Sequence, residues 1–295
     1  MVRRLRLPLL GLVLSALAAL APGAAGATSA NYLGTGDSIA FGTNISLDPS
    51  NAANFVGYPT PVAEAIGLTL TNTACPGETS SHFISLGGAD LVCGDYRANF
   101  PLHTSYSTSQ LDFTTSFLKT HFTGLVTIDI GANDLFRLAL VCQTGKTTFT
   151  LADLVALAGV LSAPGASVQA CILDGLQVTL ATLGQNLDTI YGTWRRAGYF
   201  GEIVALTVYS TDYANLAATS LVSQLDQVIA AHTTAFGGHV ADGFGAFAAA
   251  SAAFGGDACA AGLLNPLPPQ LGTGCDVHPS ARGRQVLAGA VLRAL

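Results

Sequence analysis

The sequence predicts one α/β domain built on a parallel sheet with helices on both faces. Two observations lead there: short β-rich runs alternate with longer segments of helical period, and half of the 295 residues are hydrophobic, enough for a sizeable core. No repeat, charge block or linker marks a second domain. Strands are expected at residues 31–35, 68–73, 124–130, 202–209 and 239–241. Pro59 or Pro61 can open the first helix and Gly67 can close it, since proline suits a helix start and glycine its end. Further helices are expected at 168–196, 216–235 and 281–295. Between Cys142 and Cys171, Leu151, Leu154, Val155, Ala158 and Leu161 recur at helical spacing. They suit either a packed surface helix or an apolar flap near a cleft.

Residues 1–27 read as an export leader. Arg3, Arg4 and Arg6 precede an apolar run over 7–20, and Ala25, Gly26 and Ala27 offer a small-residue cleavage site, with Ala30 as a second. That run is shorter than the ~20 apolar residues of a bilayer span, and no later segment is expected to form one. The mature domain, 28–295, is therefore expected outside the cell. Its acidic balance, −6 for the whole chain, argues against nucleic acid, which needs a basic face.

Cys75, Cys93, Cys142, Cys171, Cys259 and Cys275 make an even set in an exported chain, with no Cys-x-x-Cys spacing. Disulfides are expected in preference to metal ligation. The sequential pairing, Cys75 with Cys93, Cys142 with Cys171 and Cys259 with Cys275, closes three local segments.

LGTGDSIAFG, residues 33–42, invites three readings. As a dinucleotide turn it lacks the third glycine, replaced by Ile39, and no acidic residue follows at the distance that holds a ribose. TGKT at 144–147 fails as a phosphate loop because its first glycine position is Leu140. As a nucleophile turn, Ser38 would stand at the carboxyl edge of the sheet, where open α/β sheets bind ligands. It is not the G-x-S-x-G elbow, whose last glycine is Ala40 here, and it comes too early for several strands to precede it.

A serine needs a base and a site for the oxyanion. His278, in CDVHPSARG, has Asp276 beside it, whereas His82, His103, His121, His232 and His239 are expected to be solvated or core histidines. In VTIDIGANDL, Asn133 follows the third strand and could donate its amide to an oxyanion or cap the next helix. Asp134 suits capping or loop bracing. Gly77, after Cys75 and Pro76, could offer a backbone N–H to a closely approaching substrate.

In this order the four pieces resemble the SGNH, or GDSL-type, esterases and lipases, the paired cysteines being similar to those of secreted actinobacterial members. GDS at 36–38, Gly77, GAND at 131–134 and the histidine of DVHP stand for the family's blocks. The resemblance implies a flavodoxin-like three-layer α/β/α sandwich with about five parallel strands and an accessible site. It also implies Ser38 as nucleophile, His278 as general base and acid, and an oxyanion hole of Ser38, Gly77 and Asn133, with no cofactor or metal. The family's last block is Asp-x-x-His, but here a single residue separates Asp276 from His278. Side chains two apart share a face only on extended backbone, so Asp276 can orient His278 in a strand-like turn; otherwise the Cys275 carbonyl takes that role. The expected function is a monomeric secreted esterase acting on lipid or fatty-acyl esters, with acetylated polysaccharide as the second substrate class. A silent binding module on the same fold is the reading from another class.

Overall fold

The computed structural model describes residues 30–157 and 165–295. The expected leader, residues 1–27, and two residues of the expected amphipathic stripe, Ala158 and Leu161, lie outside them. Five strands form one sheet: β1 (Asn31–Gly36), β2 (Thr69–Asn72), β3 (Thr123–Asp129), β4 (Glu202–Leu206) and β5 (His239–Ala241). Two more, β6 (Leu264–Pro266) and β7 (Cys275–Pro279), pair antiparallel with each other. The helices are α1 (Ser38–Phe41), α2 (Pro59–Ile66), α3 (Ser80–Ile84), α4 (Cys93–Asn99), α5 (Gln110–Thr120), α6 (Ala132–Thr144), α7 (Leu151–Leu157), α8 (Ala166–Arg196), α9 (Leu216–Ala235), α10 (Gly243–Ser251) and α11 (Ala281–Ala294).

The sheet order is β2-β1-β3-β4-β5, with every pair parallel. This is the flavodoxin-like order, and its crossovers change direction between β1 and β3. Ligands of such sheets bind outside the carboxyl ends of the strands at that point. The segments after β1 and β3 are the ones that carry Ser38 and Asn133.

Alternation along the strands builds the three layers. Tyr32, Leu125, Val204 and Leu206 point into one core with α2, α10 and α11, while Leu33, Val126, Ile128, Ile203 and Ala205 point into the other with α5, α8 and α9. Both faces are buried, as a parallel sheet requires. Trp194 fills the second core, its indole N–H donating to Thr114 Oγ1 at 3.0 Å. A buried indole keeps its hydrogen bond because an unpaired polar group there is costly.

Local chemistry explains most element ends. Pro59 opens α2 and Gly67 closes it at φ +68°; Ser109, Asn215 and Ser280 cap α5, α9 and α11 with their side chains. The fourth strand stops at Leu206, not at residue 209, because the Val208 N–H is taken by Asp226 Oδ1 at 2.7 Å and Tyr209 stacks on Phe247. The short helices α3, α4 and α5 and the β6-β7 pair were not expected from the sequence. Helices α3, with 5 residues, and α4, with 7, lack the length over which a period becomes legible.

All three disulfides have the sequential pairing, with Cα separations of 5.7, 5.7 and 5.6 Å in chain order. Cys142–Cys171 ties the end of α6 to the first turns of α8. Leu151 and Leu154 of α7 pack on Leu91, Val92, Leu140 and Phe149, so the described part of the insertion is a packed helix. One correction concerns α8, which is long and apolar enough to cross a membrane by length and mean hydropathy. Leu183, Leu187, Ile190 and Trp194 nevertheless dock its second half into the domain core.

Candidate active site at the sheet switch point

Ser38 is held by the way β1 meets β3. Gly36 ends β1 at φ +126°, and a Cβ there would lie 2.1 Å from the Asp129 carbonyl oxygen. Only glycine lets the two strand ends close in this way. The next residue, Asp37, caps α1 by accepting from the Ile39 N–H at 2.9 Å, and Asp129 Oδ2 accepts from the Ala40 N–H at 3.2 Å. Two carboxylates thus fix the one-turn helix that Ser38 opens.

Those carboxylates are both buried and hydrogen-bonded to each other. Burial, and then the adjacent Asp37 charge, push Asp129 well above the ordinary carboxylate range. Burial also raises Asp37, against the bonds from Asp129 and the Ile39 N–H and the attraction of His278. Two carboxyl groups in contact cannot both ionise cheaply, and both are raised accordingly. Tyr58 donates to Asp129 Oδ1 at 3.1 Å.

The Asp276–His278 spacing resolves through backbone form. The segment is strand β7 and not the expected turn, so residues 276 and 278 share a face while Val277 points outward. His278 Nδ1 lies 2.8 Å from both Asp276 oxygens; the imidazole's partner is the carboxylate, and not the Cys275 carbonyl. Asp276 is buried and His278 is 15% exposed. With Nδ1 occupied, Nε2 is the nitrogen left for chemistry. Tyr209 donates to the Val277 carbonyl at 2.5 Å and anchors the strand, which packs against α1.

Gly77 adopts φ +80°, and a Cβ there would lie 2.3 Å from Val92 Cγ2. Asn133 sits in the first turn of α6 behind Gly131, which is the N-cap. Its amide does not cap that helix: Nδ2 donates to the Glu78 carbonyl at 2.9 Å, and a second N–H remains on the same nitrogen. Asp134 braces the same loop, accepting from the Ser80 N–H at 3.0 Å and the Ser80 hydroxyl at 2.6 Å. Burial pushes its carboxyl up to about 6, against those bonds from Ser80.

Several site-supporting residues carried no sequence signal of their own. Asp129, Tyr209, Gln110 and Glu78 support it from four different elements or loops. The expectation of solvated or core histidines without carboxylates also needs correction. His82 pairs with Glu78 at 2.5 Å, His232 with Asp188 at 2.6 Å and His239 with Glu202 at 3.1 Å. Of these three carboxylates only Glu78 lies within a helical turn of its histidine along the chain.

Among the described residues two clusters bring metal-ligating atoms together, Cys75/Glu78/Cys93 and Glu78/His82/Asp90. The first contains a disulfide. In the second, Glu78 binds His82 and Gln110, while Asp90 accepts from the N–H groups of Cys93 at 3.1 Å and Gly94 at 2.7 Å. These donors are engaged with protein partners.

A model of the GDSL-like lipase/acylhydrolase family matches residues 35–286, a span that runs from β1 into α11. The chain belongs to this family. Three solved structures resemble this GDSL-type fold. The extracellular lipase of Streptomyces rimosus is 17% identical, with 90% of this chain and 100% of that one covered at a TM-score of 0.54. A GDSL-like lipase of Parabacteroides merdae is 14% identical, covering 90% and 95% at 0.51. The lipase Lip_vut3 from a goat rumen metagenome is 15% identical, covering 90% and 97% at 0.51. At these identities the likeness speaks for the three-layer fold. Among curated proteins none matches the chain. Ester hydrolysis is the chemistry of the family, and the site geometry bears on how this member performs it.

Proposed function

We propose that the protein is a secreted serine esterase that hydrolyses fatty-acyl or lipid esters through an acyl-enzyme. The observation that carries this reading is the buried Asp276 carboxylate on Nδ1 of a half-buried His278, on a strand packed against the helix that Ser38 opens. Asp276 keeps the Nδ1 proton, so Nε2 is free to take the proton of Ser38 Oγ as that oxygen attacks the ester carbonyl. The imidazolium then gives this proton to the leaving alcohol. Water attacks the acyl-enzyme by the same exchange and releases the acid.

The oxyanion would meet three donors. The N–H groups of Ile39, Ala40 and Phe41 are taken by Asp37 Oδ1, Asp129 Oδ2 and the Asp37 carbonyl, which leaves the Ser38 N–H at the open end of α1. Gly77 adds a second backbone N–H and Asn133 its remaining amide hydrogen. A single preorganised donor of this kind is worth roughly 3 to 4 kcal/mol.

An apolar rim supports the acyl preference. Val277, between Asp276 and His278, is 40% exposed, and Phe136, one turn beyond Asn133, is 38% exposed. Ile45 and Leu47, which follow α1, are exposed as well. Apolar side chains left in water beside a polar centre favour a ligand with an apolar arm. Export agrees with three disulfides, which persist in oxidising compartments.

The test is hydrolysis of an ester series from acetyl to palmitoyl, alongside acetylated xylan, by wild type and Ser38→Ala, with labelling by a fluorophosphonate. Wild type should label and prefer medium or long acyl chains. Ser38→Ala should lose the label and at least about 1,000-fold in kcat. Preference for acetylated xylan would move the substrate to carbohydrate esters, and an unlabelled wild type would leave a binding module.

A further inference from the structure

Gln110 opens α5, a helix that contributes no residue to the proposed chemistry, and its side chain is fully buried. Its amide clamps the backbone of Gly36 from both sides. The Gly36 N–H donates to Oε1 at 2.7 Å, and Nε2 donates to the Gly36 carbonyl at 3.1 Å. Nε2 also donates to Glu78 Oε2 at 3.0 Å, a bond the second amide hydrogen allows. His82 Nδ1 holds the other Glu78 oxygen at 2.5 Å, and the Glu78 backbone carbonyl accepts from Asn133.

The sheet pairs β1 with β3 as far as Gly36 and Asp129, and this unit ties to them the segment after β2, which leaves the ladder earlier. Strand pairing between β1 and β2 ends at Gly34 and Asn72. Beyond it the Thr73 N–H reaches the Gly34 carbonyl at 2.8 Å and the Cys75 N–H reaches the Gly36 carbonyl at 3.1 Å. The chain then turns through Pro76 and Gly77 with no further ladder to β1. Gly36 stands two residues before Ser38, Glu78 one residue after Gly77, and Asn133 is bonded to Glu78 itself. The three donors proposed for the oxyanion therefore share one buried support, and Gln110 is its centre.

We propose that Gln110 is a positioning residue that sets the distances among the Ser38, Gly77 and Asn133 donors and thereby tunes transition-state stabilisation. The proposal rests on the serine esterase reading. Its physical basis is that oxyanion donors act only when they lie about 2.7–3.1 Å from the developing charge, and small displacements are costly. A glutamine suits the place: it donates and accepts at once, and adds no charge beside the buried Glu78.

The test compares wild type, Gln110→Met and Gln110→Glu on a soluble ester, with fluorophosphonate labelling, affinity for a trifluoromethyl ketone and thermal unfolding. Gln110→Met should fold and keep KM within about two-fold, lose about 10- to 100-fold in kcat, and lose ketone affinity by a similar factor. Gln110→Glu keeps an acceptor for Gly36 but sets a second carboxylate against Glu78, with His82, Asp90, Arg97 and Tyr106 around it. Its rate relative to wild type should recover as pH falls and the new acid takes a proton, a signature that decides the matter even where Gln110→Met does not fold. Unchanged kcat and ketone affinity in Gln110→Met, a loss confined to KM, or a Gln110→Glu ratio flat with pH would overturn the proposal while wild type still labels. A wild type that neither labels nor hydrolyses esters overturns the esterase reading and this proposal with it.

Discussion

Among the described residues three histidines hold a carboxylate at Nδ1, and two of them, His278 and His82, differ in what lies around the pair. His278 takes Asp276 at 2.8 Å on an extended strand, keeps 15% of its side chain exposed and faces the helix of Ser38. His82 takes Glu78 at 2.5 Å, is 4% exposed, and its partner is bonded onward to Gln110. Burial pulls the His82 imidazole down, but the bond and charge of Glu78 raise it further, so it stands above its ordinary range. A histidine–carboxylate pair is therefore not a catalytic signature by itself. In the proposed mechanism a partly exposed imidazole on a strand packed against the helix of Ser38 serves as the base, whereas burial makes the other a brace.

The sharpest way to test that contrast is Asp276→Asn. It keeps the shape and loses the charge that fixes the Nδ1 proton, so kcat should fall by about 10³- to 10⁴-fold with little change in unfolding temperature. Steady-state kinetics with thermal melts would measure both; a nearly unchanged rate would remove Asp276 from the mechanism. His82→Gln should do the reverse. The new amide can still donate to Glu78 but leaves its buried charge unpaired, at a cost of roughly 3 kcal/mol in denaturant unfolding, with kcat within about three-fold. If this variant lost activity as Asp276→Asn does without losing stability, the two pairs would not differ in kind.

The smallest effect concerns the support of the His278 strand. Asp226 holds the Val208 N–H beside Tyr209, whose hydroxyl holds Val277, and burial pushes its carboxyl up to about 7. Its Oδ2 is buried without a partner. A carboxyl raised in the folded state binds its proton more tightly there than when unfolded. Its contribution to stability is thus present in full below the unfolded value of 3.8 and is lost as pH rises towards about 7. Asp226→Asn imitates the protonated form, and melts across pH 4 to 7 should show a flatter decline than wild type. An equally steep decline would assign the pH dependence to other groups.

Much of this was legible before any fold was known. The β-rich runs located all five strands of the main sheet, and Pro59 and Gly67 marked the ends of α2, because each acts on its own few residues. The cysteine order matched the bridges, since each closes a short segment between elements. The short Asp276–His278 spacing could be read as extended backbone, but which group faced the imidazole could not, because that depended on β7 pairing with β6.

What the sequence determined by itself is the set of local commitments: alternating strands, helix caps, and glycines where the chain turns, as at Gly36 and Gly77. What only the tertiary structure decided is which polar groups meet. Gln110 reaches Gly36 across 74 residues, Asp129 reaches Ala40 across 89, and Tyr209 reaches Val277 across 68. Such contacts leave no periodic trace, because a single buried side chain answers to its neighbours in space and not to those along the chain.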